Sequence, residues 1–324
     1  MKKSKLFKIC LPFLLVALFS VIFLVSVSAE DANATILYEI TLQDESVVQV
    51  TEEMTFNGLL TKYPTTKHIK LQENANFRVE KVGSSSNNYV YNDLEIDLNK
   101  QTITSNGAYI RPSGAKVTIK NGNIKQVTSN FAYVSGSGAE LTIENCEIDA
   151  IANFVHLRNG TVTVKDSIIT SSVVSNNAFF QISYAGAKSD LILEGCAIAD
   201  VDMYLVSVGR QSDTKEKNIT LIDTEFNTSK SFVSFMDQAD AVNAPIKFDF
   251  KGDTKLSFDT FIKNHAKMDN TTFNFAPGVK LSAMPELTVE KLEYIILNSI
   301  TARLRLVAHL SSVFSEAQPR ARGV

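Results

Sequence analysis

Asp200 and Asp202 stand two residues apart, the spacing that places two carboxylates on one face of an extended strand. A carboxylate pair is the minimum equipment for acid–base cleavage of a glycosidic bond. Little else converges on them. Further acids (Asp149, Asp223, Glu225, Asp237, Asp240, Asp249) are scattered, and Arg210 is the only arginine between Arg158 and Arg303. Acids at turns are ordinary, so the pair reads first as a solvated corner. The four histidines, His68, His156, His265 and His309, lie far apart and show no metal-ligand spacing. Three cysteines in 324 residues make neither a disulfide scaffold nor a CxxC zinc site. No residue is therefore nominated as catalytic, cofactor-binding or metal-ligating, and no cofactor is expected.

A binding surface has better candidates. Five segments recur at spacings of 23 to 27 residues: Phe131–Val134 (FAYV), Phe154–Leu157 (FVHL), Phe179–Ile182 (FFQI), Leu205–Val208 (LVSV) and Phe232–Phe235 (FVSF). Their second and fourth positions are uniformly apolar and must point inward, which turns the third position outward. That position reads Tyr133, His156, Gln181, Ser207 and Ser234, and these five residues form the candidate binding stripe. The first position, Phe131, Phe154, Phe179, Leu205 and Phe232, shares the outward parity. Burial under the preceding loop is expected for it, because long exposed apolar stripes are uncommon on monomers. Left exposed, it would offer sugars or a protein partner a stacking face.

The elements that carry these residues are copies of one another. Ile96–Ile103 (IDLNKQTI), Val117–Ile124 (VTIKNGNI), Leu141–Ile148 (LTIENCEI), Val162–Ile169 (VTVKDSII), Leu191–Ile198 (LILEGCAI) and Ile219–Phe226 (ITLIDTEF) align, with weaker copies from Phe248 and Phe273. Their starts are 21 to 29 residues apart. Each alternates apolar and polar residues, the strand signature, around an Asn, Asp or Gly that tolerates a left-handed corner. Two strands at a corner and a third after a variable loop, repeated, describe an all-β, right-handed parallel β-helix with three short strands per coil. A β-sandwich is the competing fold. Its hairpins would favour Asn-Gly turns, and those at Asn57, Asn106, Asn121 and Asn159 are too few to supply them. Residues 94–104 (LEIDLNKQTIT) followed by 115–124 (AKVTIKNGNI) resemble the opening coils of pectate-lyase-like β-helix proteins exported by bacteria, many of them adhesin-like surface proteins. The resemblance spans about residues 60 to 283 and implies the fold more than an activity. Lyases of this kind would imply several acids around calcium beside an Arg or Lys base, and the hydrolases two or three close Asp residues. The Asn-Thr-Asp-Gly, Gly-His-Gly and Arg-Ile-Lys motifs of the polygalacturonases do not occur.

Stacking makes further demands. Equivalent residues in neighbouring coils should form ladders, with Lys120, Glu144, Lys165 and Glu194 alternating in sign beside Thr118, Thr142, Thr163, Ile192 and Thr220. Cys146 and Cys196 occupy one repeat position, two coils apart, with Ser167 between them. Two steps of the inter-strand spacing separate their Cα atoms by roughly 9.6 Å, beyond disulfide reach. Two buried free thiols are predicted, in an inward column with Gly122, Ser167 and Thr224.

The ends complete the division. Lys2, Lys3, Lys5 and Lys8, the apolar run from Ile9 to Val27 and the Val27-Ser28-Ala29 ending read as a signal peptide over 1–29; the alternative is an uncleaved membrane anchor. Its removal takes the formal charge from −3 to −7, which offers nothing to nucleic acid. Residues 30–59, with alternation at Ile36, Tyr38, Ile40 and Leu42, are expected to form an N-terminal β cap over the helix of 60–285. Residues 286–324 read as a C-terminal helical cap or an aberrant tail. The functional expectation is an extracellular or cell-surface binding module, non-enzymatic and adhesin-like, whose partner is a polysaccharide or a host or cell-surface protein. Its membrane contact would be through an uncleaved signal segment alone. A polysaccharide lyase or hydrolase is the alternative.

Overall fold

A computed structural model describes residues 34–283, apart from short internal stretches at 129, 152, 173–176, 183–187, 202, 210–214, 236–244, 259 and 264–270. The expected signal segment and the segment 286–324 lie outside the described residues.

The chain starts with a hairpin, β1 (Tyr38–Leu42) and β2 (Val47–Val50), followed by a short helix, α1 (Phe56–Lys62). Thr55 caps that helix by accepting from the Gly58 amide at 3.1 Å, and Phe56 and Leu59 are buried beneath it. The alternation at 36–42 announces β1, whereas the helix departs from an all-β segment over 30–59. The coils then follow in chain order. β3 (Thr66–Leu71), β4 (Phe77–Glu80) and β5 (Asn87–Val90) make one coil, and β6 (Leu94–Asp97), β7 (Thr102–Asn106) and β8 (Tyr109–Pro112) the next. β9 (Lys116–Thr128), β10 (Ala132–Asp149) and β11 (Val155–Lys165) run continuously through corners. β12 (Ile168–Thr170), β13 (Ala178–Ile182), β14 (Ser189–Glu194), β15 (Ala197–Val201) and β16 (Tyr204–Val208) resume the short strands. β17 (Lys217–Ile222), β18 (Glu225–Thr228), β19 (Ser231–Phe235), β20 (Ile246–Lys251), β21 (Lys255–Phe258), β22 (Thr260–Lys263), β23 (Thr271–Phe275) and β24 (Lys280–Ala283) continue them. Named strands of successive coils pair in parallel, which excludes the sandwich and establishes a parallel β-helix. β1 is different. It pairs antiparallel with β3 on one side and β2 on the other.

Corner geometry explains the repeat. Asn121, Asn145, Asp166, Gly195, Asp223 and Gly252 all hold positive φ, between 45° and 63°, where Asn, Asp and Gly pay least for a left-handed backbone. Asn145 donates its side-chain amide to the Asn121 oxygen at 3.0 Å, and Asn121 donates to Asp97 at 3.2 Å.

One residue past the corner runs the inward column of Gly122, Cys146, Ser167, Cys196 and Thr224, continued by Thr254, two residues past Gly252. Its hydroxyls close a gap in the ladder. Ser167 Oγ donates to the Lys165 carbonyl at 2.6 Å and accepts from the Cys146 amide at 3.1 Å. Thr224 and Thr254 repeat the arrangement for the Cys196 and Thr224 amides at 3.4 and 3.3 Å. A buried amide that the turn has pulled away from its strand partner is thereby satisfied. Cys146 and Cys196 are free and buried, as their register requires, and burial pushes both thiols up to about 11.

Apart from that hydroxyl column and a few buried polar residues such as Lys217, the interior is apolar. The columns Ala132, Val155, Phe180, Val206, Val233 and Val134, Leu157, Ile182, Val208 are buried. Phe131, Phe154, Phe179, Leu205 and Phe232 are fully buried too, and the Phe131 and Phe154 rings stack at 5.2 Å. In each of these segments the first and second residues are both buried, so strict alternation fails there. The threonine and charge ladders hold their expected register. Lys165 meets Glu194 at 3.3 Å, whereas Lys120 pairs downward with Glu95 at 2.9 Å.

Candidate functional site

The third strands build one lateral face. Tyr133, His156, Gln181, Ser207 and Ser234 are aligned coil upon coil, as the stripe requires. They are not equally accessible. Tyr133, His156 and Gln181 are half-buried, but Ser207 and Ser234 are each only 8% exposed, so the accessible stripe narrows toward the later coils.

Toward the earlier coils it broadens. Ala132 pairs with Ile110, which sets Tyr133 beside Arg111, and Arg111 in turn pairs with Tyr89. The Arg111 guanidinium lies over both rings, 5.1 Å from the Tyr89 centroid and 4.7 Å from that of Tyr133. It donates to the Asn87 side-chain oxygen at 2.7 Å, and among the described residues it forms no ion pair. Tyr109 stacks on Tyr133 at 5.5 Å, and the His156 ring meets Tyr133 edge-on at 4.7 Å. Arg158 donates to the Tyr133 hydroxyl at 2.7 Å. Gln181 accepts from Asn153 at 3.1 Å. The face is thus a pre-stacked run of rings and guanidinium groups whose rotamers are already restricted.

Its electrostatics are one-sided. Burial first, and the neighbouring Arg158 second, push His156 down to about 4, so the imidazole is neutral at physiological pH. It then has one N–H donor and one acceptor nitrogen, beside the permanently charged Arg158.

Asp202 and Arg210 lie outside the described residues, and Asp200 falls on β15. His68 sits 3.5 Å from Glu95 on the first face. Among the described residues no three His, Cys, Asp or Glu side chains converge. A broad depression of about 630 Å³ follows the corner column, but Asn121, Asn145 and Asp97 hydrogen-bond to one another across it. Tyr89 and Arg111 are hard to find from sequence because Pro112 and Asn88 occupy inward positions of β8 and β5, where later coils carry large apolar residues. The outward parity of Tyr89 and Arg111, two strands in register, is the signal that could have found them.

Comparison of the chain with protein-family profiles, curated proteins and solved structures gave no match.

Proposed function

We propose that this protein is an exported, non-enzymatic binding module, secreted or held at the cell surface, that works through the lateral face of its third strands in the manner of an adhesin. The observation that carries the reading is the Tyr89–Arg111–Tyr133 sandwich, with His156 and Arg158 packed beside it. Tyrosine and arginine give large contact area and directional donors, and they dominate binding hot spots. Rings and guanidinium that are already stacked lose little further freedom when a ligand arrives. A polysaccharide chain or a cell-surface protein is the class of partner such a face suits. The leader-like residues 1–29 support export.

The test is attachment of the full chain to a glycan array and to whole cells. Arg111→Gln and Tyr133→Leu are expected to weaken attachment about tenfold together, the equivalent of about 1.4 kcal/mol, while leaving the far-ultraviolet β-signal intact. Unchanged attachment in the double variant would retire this face. Calcium-dependent cleavage of an acidic polysaccharide that disappears on Asp200→Ala would replace the reading with the enzymatic one.

A further inference from the structure

The lateral face ends, on its N-terminal side, in a cleft of about 220 Å³ between α1 and the turn from β5 into β6. Tyr89 and Tyr91 stand on one side of it and Asn57, Thr61, Pro64 and Asn92 contribute to its walls. Tyr91 is 70% exposed and Tyr89 41% exposed, and their rings are parallel within 12° at 5.8 Å. Such a pair standing in solvent is unusual, since nothing in the fold needs it: Asn88 and Val90, the alternate residues, carry the packing.

Resting on the proposed reading of the lateral face, we propose that this cleft is a subsite for a single neutral pyranose ring at the end of a glycan. Three observations converge. The space is below the roughly 300–1,000 Å³ of drug-sized sites, so one ring fits and an extended chain does not enter. Among the described residues its lining holds no charged side chain, which leaves nothing to neutralise an anion. A cation is disfavoured as well, because Arg111 already lies over the Tyr89 ring at 5.1 Å. What the cleft does offer matches a sugar: flat aromatic surface for the C–H face of the ring, and amides at the rim for its hydroxyls. Asn57 directs its amide N–H toward Thr61, and Asn92 directs its own toward the Pro64 carbonyl, each at 3.4 Å. Both side-chain oxygens are thereby left to accept from sugar hydroxyls.

Saturation-transfer NMR on the full chain tests this with the methyl glycosides of glucose, galactose and mannose, against methyl glucuronoside, choline and a proline-rich peptide. At least one neutral glycoside is expected to bind. Tyr91→Ala should weaken it about tenfold and Asn92→Ala several-fold, both at exposed positions that leave folding intact. The proposal is overturned if no neutral glycoside binds, if the glucuronoside, choline or peptide is preferred, or if Tyr91→Ala has no effect. Attachment lost in the Arg111 and Tyr133 variants with no Tyr91-dependent glycoside binding would remove the cleft and keep the face. The reverse pattern would keep the cleft and remove the face.

Discussion

His156 shows how a single residue ties the lateral face to the stability of the coil. Its imidazole titrates near 4 in the folded chain against an ordinary 6.5, chiefly because it is buried. Between those values the unfolded chain holds the extra proton, so stability rises with pH across the window. The folded state is undiminished by this ring above about pH 6.5 and loses stability as the pH falls toward 4. Between pH 7 and pH 5 the loss should be on the order of 1–2 kcal/mol, since one proton taken up only by the unfolded chain is worth about 1.4 kcal/mol for each tenfold rise in acidity. Urea titrations at the two pH values are expected to show this loss in the natural chain and a smaller one in His156→Gln, which has no proton to take up. Equal losses in the two chains would mean that the imidazole is solvated after all. The same neutrality matters for binding, because at neutral pH the imidazole stands uncharged beside the Arg158 guanidinium.

At the scale of the corner, a carboxylate and a glycine form a matched pair between coils. A Cβ on Gly252 would lie 2.0 Å from Asp223 Oδ1, and one on Gly195 would lie 2.5 Å from Asp166 Oδ1. Asp223 cannot swing away freely, because the same oxygen accepts from the Asp253 amide at 2.8 Å. Asparagine can stack on asparagine, as Asn145 does on Asn121, since an amide both donates and accepts. A carboxylate cannot donate, and its neighbour in the next coil is glycine. Gly252→Ala should therefore destabilise by more than about 2 kcal/mol, from the left-handed backbone and the clash together. Adding Asp223→Ala should recover part of that loss, with a coupling of about 0.5–3 kcal/mol in a denaturation cycle. Strictly additive losses would sink the pairing. These corners also make the fold legible in the sequence, since an Asn, Asp or Gly recurring at one phase of a period-two pattern is what a stack of left-handed corners requires and what a sandwich does not. The coil of β3–β5 lacks that motif and does not align with the copies, although Asn74 still holds positive φ at 68°. The stripe from Tyr133 to Ser234 can be read from parity. Its accessibility cannot: Ser207 and Ser234 share the outward parity of Tyr133, yet each is only 8% exposed. Lys217 makes the opposite point: its charge suggests the surface, yet alternation with Ile219 and Leu221 puts it inside, and it is fully buried.

The whole molecule is a stack in which each coil touches its neighbours, so a coil is a unit that can be removed without shifting the phase of the rest. Gly160 pairs with Ser189 one coil later. Deleting residues 160 through 188 joins Asn159 to Ser189 and lets the strand from Ser189 to Glu194 take the place of the one it replaces. Most new neighbours are compatible. Leu141 would meet Leu191, Ile148 would meet Ile198, and Phe154 would meet Leu205, all apolar and now buried. Asn145 would meet Gly195, which adds no clash at the corner. One contact worsens, because Glu144 would face Glu194 with Lys165 gone; at an exposed position that costs up to about 1 kcal/mol. The shortened chain should therefore still unfold cooperatively, at a lower midpoint. Its thiols provide the decisive readout. Cys146 and Cys196 are separated in the natural chain by the coil of Ser167 and remain free. In the deletion they become neighbours at roughly 4.8 Å between Cα atoms, within the range of about 4.4–6.8 Å that a disulfide accepts. Mild oxidation followed by denaturation and thiol labelling should leave Cys146 and Cys196 both labelled in the natural chain and both protected in the deletion. A deletion that folds cooperatively yet keeps both thiols reactive would show that these cysteines do not share a column, and the register of every ladder on the stack would have to be reassigned.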